Sequence, residues 1–408
     1  MAKSRIVILG GGFAGLRLLY RLSQALADRV ELILVDERDT SLAKPVLPEV
    51  AFTGTPVAHA RFPLQPILER HGGTFIQAAA EQIEPRASEV ALSDGRRLPY
   101  EFLAITVGAV KDYDATPGFR AHGYSLCDDR EAPRLHDALE RFPGGPVVIG
   151  SAKSAWGTRI DVPPLAAPCE GPVAEAMFML DFELRRRKIR SSSSITVFSP
   201  GRIFFEDVGP RVHAAVEPLV HQQGIVVQTS KEINRIAADH VEFTDGSQLA
   251  SALTILLPVY AGNPLVRRSG LGDEKGFVPT DRTMRHLDHP NIFAAGDGTT
   301  LAMPKLGHIA TQQADVAAAA LVREITGQGE VPPLAPEVFC IANRGGVEAT
   351  LILSNTLYGG TTDLAFSSPL AHLMKWSFDS YYLYTRGHLP PDSLQAALEV
   401  VLRNVVRS

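Results

Sequence analysis

Cysteine is scarce in this chain. Its 408 residues include only three cysteines, Cys127, Cys169 and Cys340, which stand far apart in the sequence. Three widely spaced thiols exclude the disulfide framework of a small secreted domain, and they lack the paired spacing of a zinc site, so we expect no bound metal. Most cysteines of this kind are small buried hydrophobic residues. Whether any of the three is reactive therefore depends on what surrounds it.

Long apolar runs and an excess of positive charge are also missing. No stretch of about twenty consecutive apolar residues occurs, so we expect no membrane-spanning helix. The net charge of −5 argues against a nucleic-acid partner. The dense basic stretch at residues 185–190 is interpreted as the solvated end of a helix. The first apolar strand begins at about Ser4, which leaves no room for a leader peptide, and we expect synthesis in the cytoplasm.

The chain is too long for one ordinary hydrophobic core, so we expect two or three domains. The first segment of the sequence indicates the kind of domain that lies at the N-terminus. "RIVILGGGFAGLRLLYRLSQAL" combines a buried strand, a glycine turn and an amphipathic helix, and a second strand ends about twenty residues later at Asp36. Gly10 permits the tight turn, Gly12 lets backbone approach a pyrophosphate, and Gly15 lets the helix pack on the strand. The arrangement predicts a dinucleotide site in which Asp36 accepts a hydrogen bond from a ribose hydroxyl.

Two later strands are also predicted to contribute to the dinucleotide site. Residues 100–109 are typical of a strand that ends at Thr106 and Gly108, and residues 291–300 of one that ends at Gly296 and Asp297. In this order the three segments resemble the flavoproteins with two dinucleotide-binding domains, and the resemblance implies FAD as the cofactor. It implies that the glycine motif holds the FAD diphosphate and that Asp297 binds the ribityl and diphosphate region. The candidate cofactor-binding residues are Gly10, Gly12, Phe13, Ala14, Gly15, Asp36, Glu37, Pro45, Thr106, Gly108, Gly296, Asp297, Lys305 and Gly307.

A second dinucleotide half begins at "GPVVIGSAKSAWG" but lacks part of the motif. Gly150 is present, whereas residues 151–155 read Ser-Ala-Lys-Ser-Ala, so the second and third glycines are missing. The following strand, "SSITVFSP", ends without an acid that could bind a nicotinamide ribose. The sequence therefore predicts a Rossmann-like domain that does not bind NAD(P), and the flavin must be reduced by another donor.

The C-terminal part of the sequence shows helical patterns and not the strand–turn–helix segments of a dinucleotide-binding domain. "SPLAHLMKWSFDSYYLYTR" carries apolar residues at helical spacing, and a second such pattern follows Pro390-Pro391, from Leu394 to Val405. One interpretation is a pair of helices that packs on a core. The other is an aromatic-rich pair that meets the membrane interface, where a lipid-soluble substrate could enter.

The surroundings of the three cysteines resemble the sulfide:quinone oxidoreductases. Cys127 lies in "SLCDDREA", Cys169 in "PCEGPVAEAMF" and Cys340 in "EVFCIANRGG"; "PKLGHI" and "HLMKWSFDSYYL" also match segments of that family. The resemblance implies that Cys169 and Cys340 form a redox-active disulfide on one face of the flavin. Cys127 is then an accessory sulfur carrier or a buried spectator, and Lys305 a partner of the reduced flavin or a solvated lysine. Met374, Lys375 and Phe378 fall at quinone-side positions.

The same resemblance implies the rest of the function. Sulfide would be oxidised to polysulfide or sulfur through the cysteines, and the electrons would pass through FAD to a quinone at the surface of the cell membrane. The protein would be a peripheral membrane protein and a possible homo-oligomer. The sequence departs from the family at Arg130 and at Phe204 or Phe205, where relatives carry histidines, so proton transfer would fall to Glu170 or Glu206.

The predicted architecture is α/β, with two Rossmann-like domains, one intact for FAD and one degenerate for NAD(P), and a C-terminal helical region. The expected bounds are 1–115 and 261–330 for the FAD domain, 116–260 for the degenerate domain and 331–408 for a region facing quinone and membrane. Three alternatives stay open. They are a type II NADH:quinone reductase, the flavoprotein subunit of a flavocytochrome sulfide dehydrogenase, and an FAD-stabilised scaffold without activity.

Overall fold

A computed structural model of the chain describes residues 3–154 and 165–390. Within them lie ten helices: α1 (Phe13–Leu26), α2 (Leu47–Thr53), α3 (Gln65–Arg70), α4 (Phe119–His122), α5 (Glu131–Arg141), α6 (Gly171–Arg186), α7 (Pro210–Gln222), α8 (Pro264–Arg268), α9 (Gly307–Thr326) and α10 (Pro369–Tyr384).

The strands of the first half of the chain are β1 (Ser4–Leu9), β2 (Val30–Asp36), β3 (Thr40–Leu42), β4 (Arg61–Pro63), β5 (Thr74–Gln77), β6 (Ala80–Glu84), β7 (Glu89–Leu92), β8 (Arg97–Pro99), β9 (Phe102–Ile105), β10 (Val110–Asp112), β11 (Gly123–Tyr124), β12 (Gly145–Ser151) and β13 (Ser193–Phe198). Those of the second half are β14 (Ile225–Gln228), β15 (Ile233–Ile236), β16 (His240–Phe243), β17 (Gln248–Ala250), β18 (Leu253–Leu257), β19 (Val259–Ala261), β20 (Ile292–Ala294), β21 (Val338–Gly345), β22 (Glu348–Ser354) and β23 (Asp363–Ser368).

The first sheet is parallel throughout, in the order β20-β9-β1-β2-β5. Its central strands are almost continuous apolar runs because both faces are covered. Leu9 and Ile105 lie on one face, whereas Ile6 and Ala104 face the other, against which α1 and α9 pack. The carboxyl ends of β1, β2, β9 and β20 therefore meet at one edge, and in open α/β sheets this is the edge that binds ligands.

The second sheet is also parallel, in the order β11-β18-β12-β13-β14. Helix α6 connects β12 to β13 and is buried along most of its length, including Met177 and Phe178. Two five-stranded parallel sheets confirm the predicted α/β fold with two Rossmann-like units. β12 ends at Ser151 and the next described helix begins only at Gly171, so this unit differs from the first, where Gly12 caps the helix directly.

A short antiparallel ladder joins the two units. β10 and β19 form an antiparallel ribbon in which Lys111 lies beside Tyr260. The small antiparallel sheets β6-β7-β8 and β15-β16-β17 each belong to one half. The first parallel sheet draws its strands from residues 4–105 and 292–294, and the second from residues 123–257. The residue-level bounds of the domains stay a prediction.

The C-terminal region contains more than helices. Antiparallel strands β21, β22 and β23 form a sheet that packs on α6 and carries α10 on its other side. The sequence analysis expected a helical region here, so the strands β22 and β23 were missed. Helix α10 lies where the first C-terminal apolar pattern predicts a helix, and the second pattern, from Leu394, lies outside the described residues. None of the described helices combines the length and apolar character needed to cross a bilayer.

Candidate functional site

One cavity of about 1250 Å³ lies between the carboxyl edge of the first sheet, the second unit and the C-terminal region. It is larger than the roughly 300–1,000 Å³ of an ordinary small-ligand pocket, so a dinucleotide and a second molecule can share it. Nearly all the residues that the sequence singled out line its wall: Gly10, Gly12, Phe13, Ala14, Asp36, Glu37, Pro45, Thr106, Gly108, Cys127, Cys169, Gly296, Asp297, Lys305, Gly307, Cys340, Met374, Lys375 and Phe378. Gly15 lies behind the wall.

The three glycines of the first turn have different surroundings. Gly10 has φ +101°, which favours glycine, and a Cβ there would stand 2.7 Å from the carbonyl oxygen of Thr106. A Cβ on Gly15 would stand only 1.9 Å from the carbonyl oxygen of Gly10, so α1 can lie this close to the strand only with glycine. A Cβ on Gly12 would meet no protein atom within 4 Å. Gly12 therefore faces open cavity at the start of α1, where a diphosphate would fit.

The start of α1 carries no competing negative charge. Its first turn has no acidic residue, and no side chain caps it. The carboxylate of Asp36 accepts hydrogen bonds from the N–H groups of Gly11 (2.7 Å) and Arg38 (2.9 Å), and burial raises the pKa of this carboxyl. A carboxylate has further acceptor capacity, so Asp36 can still receive a ribose hydroxyl. The donors and the open space of this turn fit a dinucleotide.

Opposite the turn, β20 ends in Gly296 and Asp297. The Gly296 N–H donates to the side chain of Gln313 (2.7 Å), and Asp297 lies 3.5 Å from the ammonium of Lys44. Lys305 donates to the carbonyl of Thr299 (3.4 Å), and burial lowers the pKa of its ammonium to about 8. Lys305 is therefore a partly buried cation in the cavity wall and not a solvated loop lysine.

Cys169 and Cys340 come from distant parts of the chain and meet at the start of α6. A Cβ on Gly171 would lie 3.4 Å from Sγ of Cys340 and 3.7 Å from Sγ of Cys169, so the two sulfurs are at most about 7 Å apart. All three cysteines of the protein are free thiols in the structure. Burial raises the pKa of the Cys169 thiol well above its usual value, and the backbone N–H of Gly171 acts on this pKa in the opposite direction. Burial raises the pKa of Cys340 to about 12.

Two buried acids stand beside Cys169. Glu170 accepts a hydrogen bond from the N–H of Phe205 (2.6 Å), and burial raises the pKa of its carboxyl to about 8. Asp207, which the sequence analysis did not single out, is buried near both cysteines, and burial raises its pKa to about 6. Glu206, the other predicted proton group, accepts from the N–H of Ala166 (2.7 Å). Glu170 is therefore the better placed of the two predicted acids.

A second buried cluster joins Cys340 to α10. Glu175 accepts from the N–H of Asn343 (3.0 Å), and burial raises the pKa of its carboxyl to about 8. The Asn343 side chain donates to Glu49 (2.6 Å), which lies 3.6 Å from the ammonium of Lys375. Lys375 donates to Asp379 (2.9 Å) and to the carbonyl of Pro45, and the surrounding carboxylates raise its pKa despite burial. Lys375 is thus a charged, fully engaged residue at the cavity wall.

Helix α10 has two unlike faces. Ala371, Lys375 and Tyr382 are buried, and Phe378 stacks with Tyr382 at a ring separation of 6.4 Å. The other side presents large apolar residues to solvent: Leu370, Leu373, Trp376, Tyr381 and Tyr384, of which Trp376 is 63% exposed. Leu370 and Leu373 also line the cavity rim. This face is not packed on the core of the described residues, which favours the interfacial interpretation of α10.

Cys127 is buried and lines the same cavity, together with Lys111 and Tyr260. Its backbone N–H donates to the hydroxyl of Ser125 (3.3 Å). Burial raises the pKa of the Cys127 thiol. Lys111 and Tyr260 were missed because no local pattern marks them; only the pairing of β10 with β19 brings them to this wall.

Several known proteins are similar to this chain over most of its length. The family described as pyridine nucleotide-disulphide oxidoreductase matches residues 4–314. A sulfide-quinone reductase of Aquifex aeolicus is 24% identical over 99% of this chain and 96% of its own length. The X-ray structure of the sulfide:quinone oxidoreductase from Aquifex aeolicus superimposes with a TM-score of 0.87 and 24% identity, covering 98% of this chain and 95% of that one.

A relative that is named for NAD(P)H as its electron donor is also similar to this chain. An alternative NAD(P)H-ubiquinone oxidoreductase of Arabidopsis thaliana is 24% identical over 77% of this chain and 66% of its own length. The resemblance to the sulfide:quinone oxidoreductases that the cysteine segments indicated is confirmed over nearly the whole chain. At these identities the structural likeness establishes the fold, whereas the identity of the electron donor depends on the residues of the cavity.

Proposed function

The chain belongs to the pyridine nucleotide-disulphide oxidoreductase family, and from this membership we propose that it is an FAD-dependent sulfide:quinone oxidoreductase. One observation supports this most strongly. The sulfurs of Cys169 and Cys340 both border Gly171, inside the same cavity that holds the glycine turn of β1 and α1. A dithiol beside a dinucleotide site is an arrangement for two-electron sulfur chemistry.

The cofactor would be held by groups already described. Backbone N–H groups at Gly12 and Phe13 would bind the diphosphate at the start of α1, and Asp36 would receive the ribose hydroxyl. Asp297 would orient the ribityl chain from the end of β20. Lys305 places a positive charge at the wall, which suits the negative charge of a reduced flavin. Bound FAD would supply the two-electron step that couples the sulfur donor to the acceptor.

The cysteines would perform the sulfur step as a disulfide. Hydrosulfide would attack the Cys169 sulfur of a Cys169–Cys340 disulfide, so that one S–S bond forms as the other breaks. The products are a persulfide on Cys169 and a thiolate on Cys340. Transfer of two electrons to bound FAD would let the Cys169 persulfide and the Cys340 thiolate rejoin through a new S–S bond. Attack of further sulfide on this bridge would then lengthen the sulfur chain, which would leave as polysulfide or sulfur. Burial disfavours the anionic form of the Cys169 sulfur, and the backbone N–H of Gly171 offsets part of this effect.

Proton handling would use the buried acids in place of histidines. Glu170 adjoins Cys169 in the sequence and, with a pKa of about 8, holds a proton at neutral pH that it can exchange with sulfur species. Neither Phe204 nor Phe205 can do so, and Phe205 instead fixes Glu170 through its backbone N–H. Cys169 and its protonated acid therefore form the sulfide side of the site.

The acceptor side would lie at α10. Met374 and Phe378 line the cavity on the helix that carries the exposed apolar face, and Lys375 places a buried ammonium between them. A quinone head group could lie against Phe378 while its tail leaves past Leu370 and Leu373. The exposed Trp376 and Tyr384 would seat this end in the membrane interface. The protein would then be peripheral at the cell membrane.

NADH is the less suitable donor. In a Rossmann unit the pyrophosphate binds at the start of the helix that follows the first strand. In the second unit the described helix that follows β12 is α6, and the residues at its start are the buried Cys169 and Glu170 in place of the motif's glycines. Side chains at these positions take up the space in which a phosphate would approach backbone. We therefore place a type II NADH:quinone reductase second to the sulfide enzyme.

An anaerobic titration tests the proposal. Purified protein should be yellow; sulfide should bleach it, NADH should not, and a soluble quinone should restore the colour. Cys169→Ala and Cys340→Ala should each abolish bleaching by sulfide while dithionite still bleaches the bound flavin, which is the matched control for cofactor content. Rapid bleaching by NADH, or full turnover of either variant with sulfide, would refute the assignment.

A further inference from the structure

Strand β21 divides the surroundings of the cavity into two sides, because neighbouring side chains of a strand point to opposite faces. Cys340 packs with the apolar residues of α6, on the side where Cys169 lies. Phe339, the residue before it, packs in a separate apolar cluster with Leu353 and Met374. Both Cys340 and Phe339 line the cavity. One face of β21 therefore borders the sulfur atoms, and the other borders α10.

The side of the cavity under α10 is apolar. This part, the α10 compartment, is lined by six apolar residues of β21, β22 and α10: Phe339, Ile341, Leu353, Leu370, Leu373 and Met374. Such a wall suits a flat hydrophobic ring, but polar groups are needed to fix the orientation of the ring. The carbonyl oxygens of a quinone lose hydrogen bonds to water when they enter such a compartment, so a donor in its wall would offset this cost.

Two polar side chains beside this compartment already donate elsewhere. The Lys375 ammonium has three N–H groups, and three oxygen atoms surround it, those of Pro45 (2.8 Å), Asp379 (2.9 Å) and Glu49 (3.6 Å). The hydroxyl of Thr311 donates to the backbone carbonyl of His308 (2.8 Å). Neither side chain can turn to a quinone without losing an existing bond.

His308 brings an uncommitted donor to the same wall. It is the second residue of α9 and lines the cavity, and its ring centre lies 5.5 Å from that of Phe339. Among residues 3–154 and 165–390, no group forms a hydrogen bond with a ring nitrogen of His308. Burial lowers the pKa of this imidazole to about 4, so the ring is neutral at physiological pH and has one N–H donor.

The backbone that carries His308 is held in place by aromatic packing. A Cβ on Gly307 would stand 3.2 Å from the Phe13 ring, so the start of α9 lies directly against this ring. Phe13 in turn stacks on Tyr382 of α10 at a ring separation of 4.8 Å. The imidazole is therefore presented by an element that is packed between α1 and α10.

We propose that His308 is a quinone-binding residue that donates its imidazole N–H to one carbonyl oxygen of a quinone head group in the α10 compartment. The proposal rests on the proposed function, since it assigns a residue to the acceptor that this function requires. The head group would lie between Phe339 and Met374, where the wall is apolar. Recognition of the acceptor would then depend on its carbonyl oxygen as well as on its ring.

The flavin ring is the other group that His308 could contact, because Lys305 and Gly307 belong to the same segment and are candidate cofactor-binding residues. The neighbour of the imidazole favours the quinone. Phe339 belongs to the cluster of Met374, which lies on the opposite face of β21 from Cys340. The two assignments are separated by measuring the FAD content of His308 variants.

The first test uses menadione as a soluble quinone and the FAD-loaded protein. His308→Phe keeps a ring and removes the N–H, so it should raise KM for menadione at least tenfold, or about 1.4 kcal/mol. The rate at which sulfide bleaches the flavin without quinone should stay within twofold of the unsubstituted protein. His308→Gln, which keeps an N–H donor, should restore KM to within threefold. His221→Phe, the matched control, changes an exposed imidazole on α7 and should alter neither quantity.

Three outcomes would overturn the proposal. The first is an unchanged KM for menadione in His308→Phe. The second is an equal loss in the rate of bleaching by sulfide, which would indicate a general structural role. The third is a loss of FAD from His308→Phe, which would assign the imidazole to the cofactor.

A second test needs no turnover. The change in flavin absorbance of the oxidised, FAD-loaded protein gives Kd for menadione and for 2-methylnaphthalene, which has the same carbon skeleton without the carbonyl oxygens. His308→Phe should raise Kd for menadione at least tenfold and leave Kd for 2-methylnaphthalene within twofold. Equal changes for both ligands, or no binding of menadione to the unsubstituted protein, would refute the hydrogen bond. If sulfide does not bleach the unsubstituted protein, the proposed function is wrong, while the two Kd values still decide the role of His308.

Discussion

Gly12 and Gly15 belong to the same turn but are glycines for different reasons, and alanine substitution separates the two. A methyl group on Gly15 would stand 1.9 Å from the backbone oxygen of Gly10 and 2.8 Å from Oγ1 of Thr106. A methyl group on Gly12 would meet no protein atom within 4 Å, and φ −83° at this residue suits alanine. We expect Gly15→Ala to destabilise the fold and Gly12→Ala to displace the cofactor.

The size of each effect follows from these contacts. Overpacking costs about 1–3 kcal/mol, and Gly15→Ala belongs at the upper end because its neighbours are backbone. Alanine regains about 1 kcal/mol over glycine inside a helix, which leaves a net loss of about 2 kcal/mol. For a domain of this size the loss corresponds to roughly 4–8 °C in Tm. Gly12→Ala should leave Tm of the apoprotein unchanged and weaken FAD binding at least about tenfold, or about 1.4 kcal/mol.

Thermal unfolding of the cofactor-free protein and the ratio of FAD to protein after gel filtration measure the two effects separately. Each variant is the control for the other. A Gly12→Ala protein that unfolds at a lower temperature without FAD, or one that retains FAD as well as the unsubstituted protein, would show that the diphosphate does not lie at this turn. An unchanged Tm in Gly15→Ala would show that α1 can move away from β1.

Two further predictions concern a buried acid and the exposed face of α10. The folded pKa of Glu170, about 8, lies above the value of about 4.3 in an unfolded chain, so its contribution to stability is complete below about pH 4 and is lost as pH rises towards 8. Glu170→Gln keeps an acceptor for the Phe205 N–H. It should reduce the dependence of the free energy of unfolding in urea on pH between about pH 4 and 8 by up to about 1.4 kcal/mol per pH unit. Parallel curves of unfolding free energy against pH for the two proteins would contradict a raised pKa for Glu170. The double substitution Leu373→Ser and Trp376→Ser should lower the fraction of protein that sediments with phospholipid vesicles at least about tenfold. The control Val226→Ser changes a similarly exposed apolar residue on β14 and should leave this fraction unchanged. Equal sedimentation of the unsubstituted protein, the double variant and the control would show that α10 does not bind the membrane interface.

The parts of the site that local sequence predicts are those built within one βαβ unit. The glycine turn, the ends of β2, β9 and β20, and the missing glycines after Gly150 are readable because a strand, a turn and a helix follow each other directly. The pairing of Cys169 with Cys340 has no local signal. It was available only through the resemblance of their segments to one family, since Cys169 precedes α6 and Cys340 lies on β21.

What the sequence could not predict depends on long-range burial. Glu49 meets Asn343, 294 positions later, and Lys111 meets Tyr260 through a ribbon between the two units. An acid or a lysine at such positions looks like any solvated residue until its neighbours are known. The strands β22 and β23 were missed for a related reason, because the helical spacing that follows them is the stronger pattern.

The glycine at position 171 has a consequence for how sequences of this kind are compared. Gly171 has no positive φ, and it begins an ordinary helix just before Pro172, so backbone geometry does not require glycine there. A Cβ at this position would make ordinary van der Waals contact with two sulfur atoms, at 3.4 Å from Cys340 and 3.7 Å from Cys169. In a nucleotide-binding relative, the glycine at a helix start makes room for a phosphate. Here the space beside Gly171 borders two sulfurs, so in a comparison of sequences this glycine is to be explained by the cysteines and not by a phosphate.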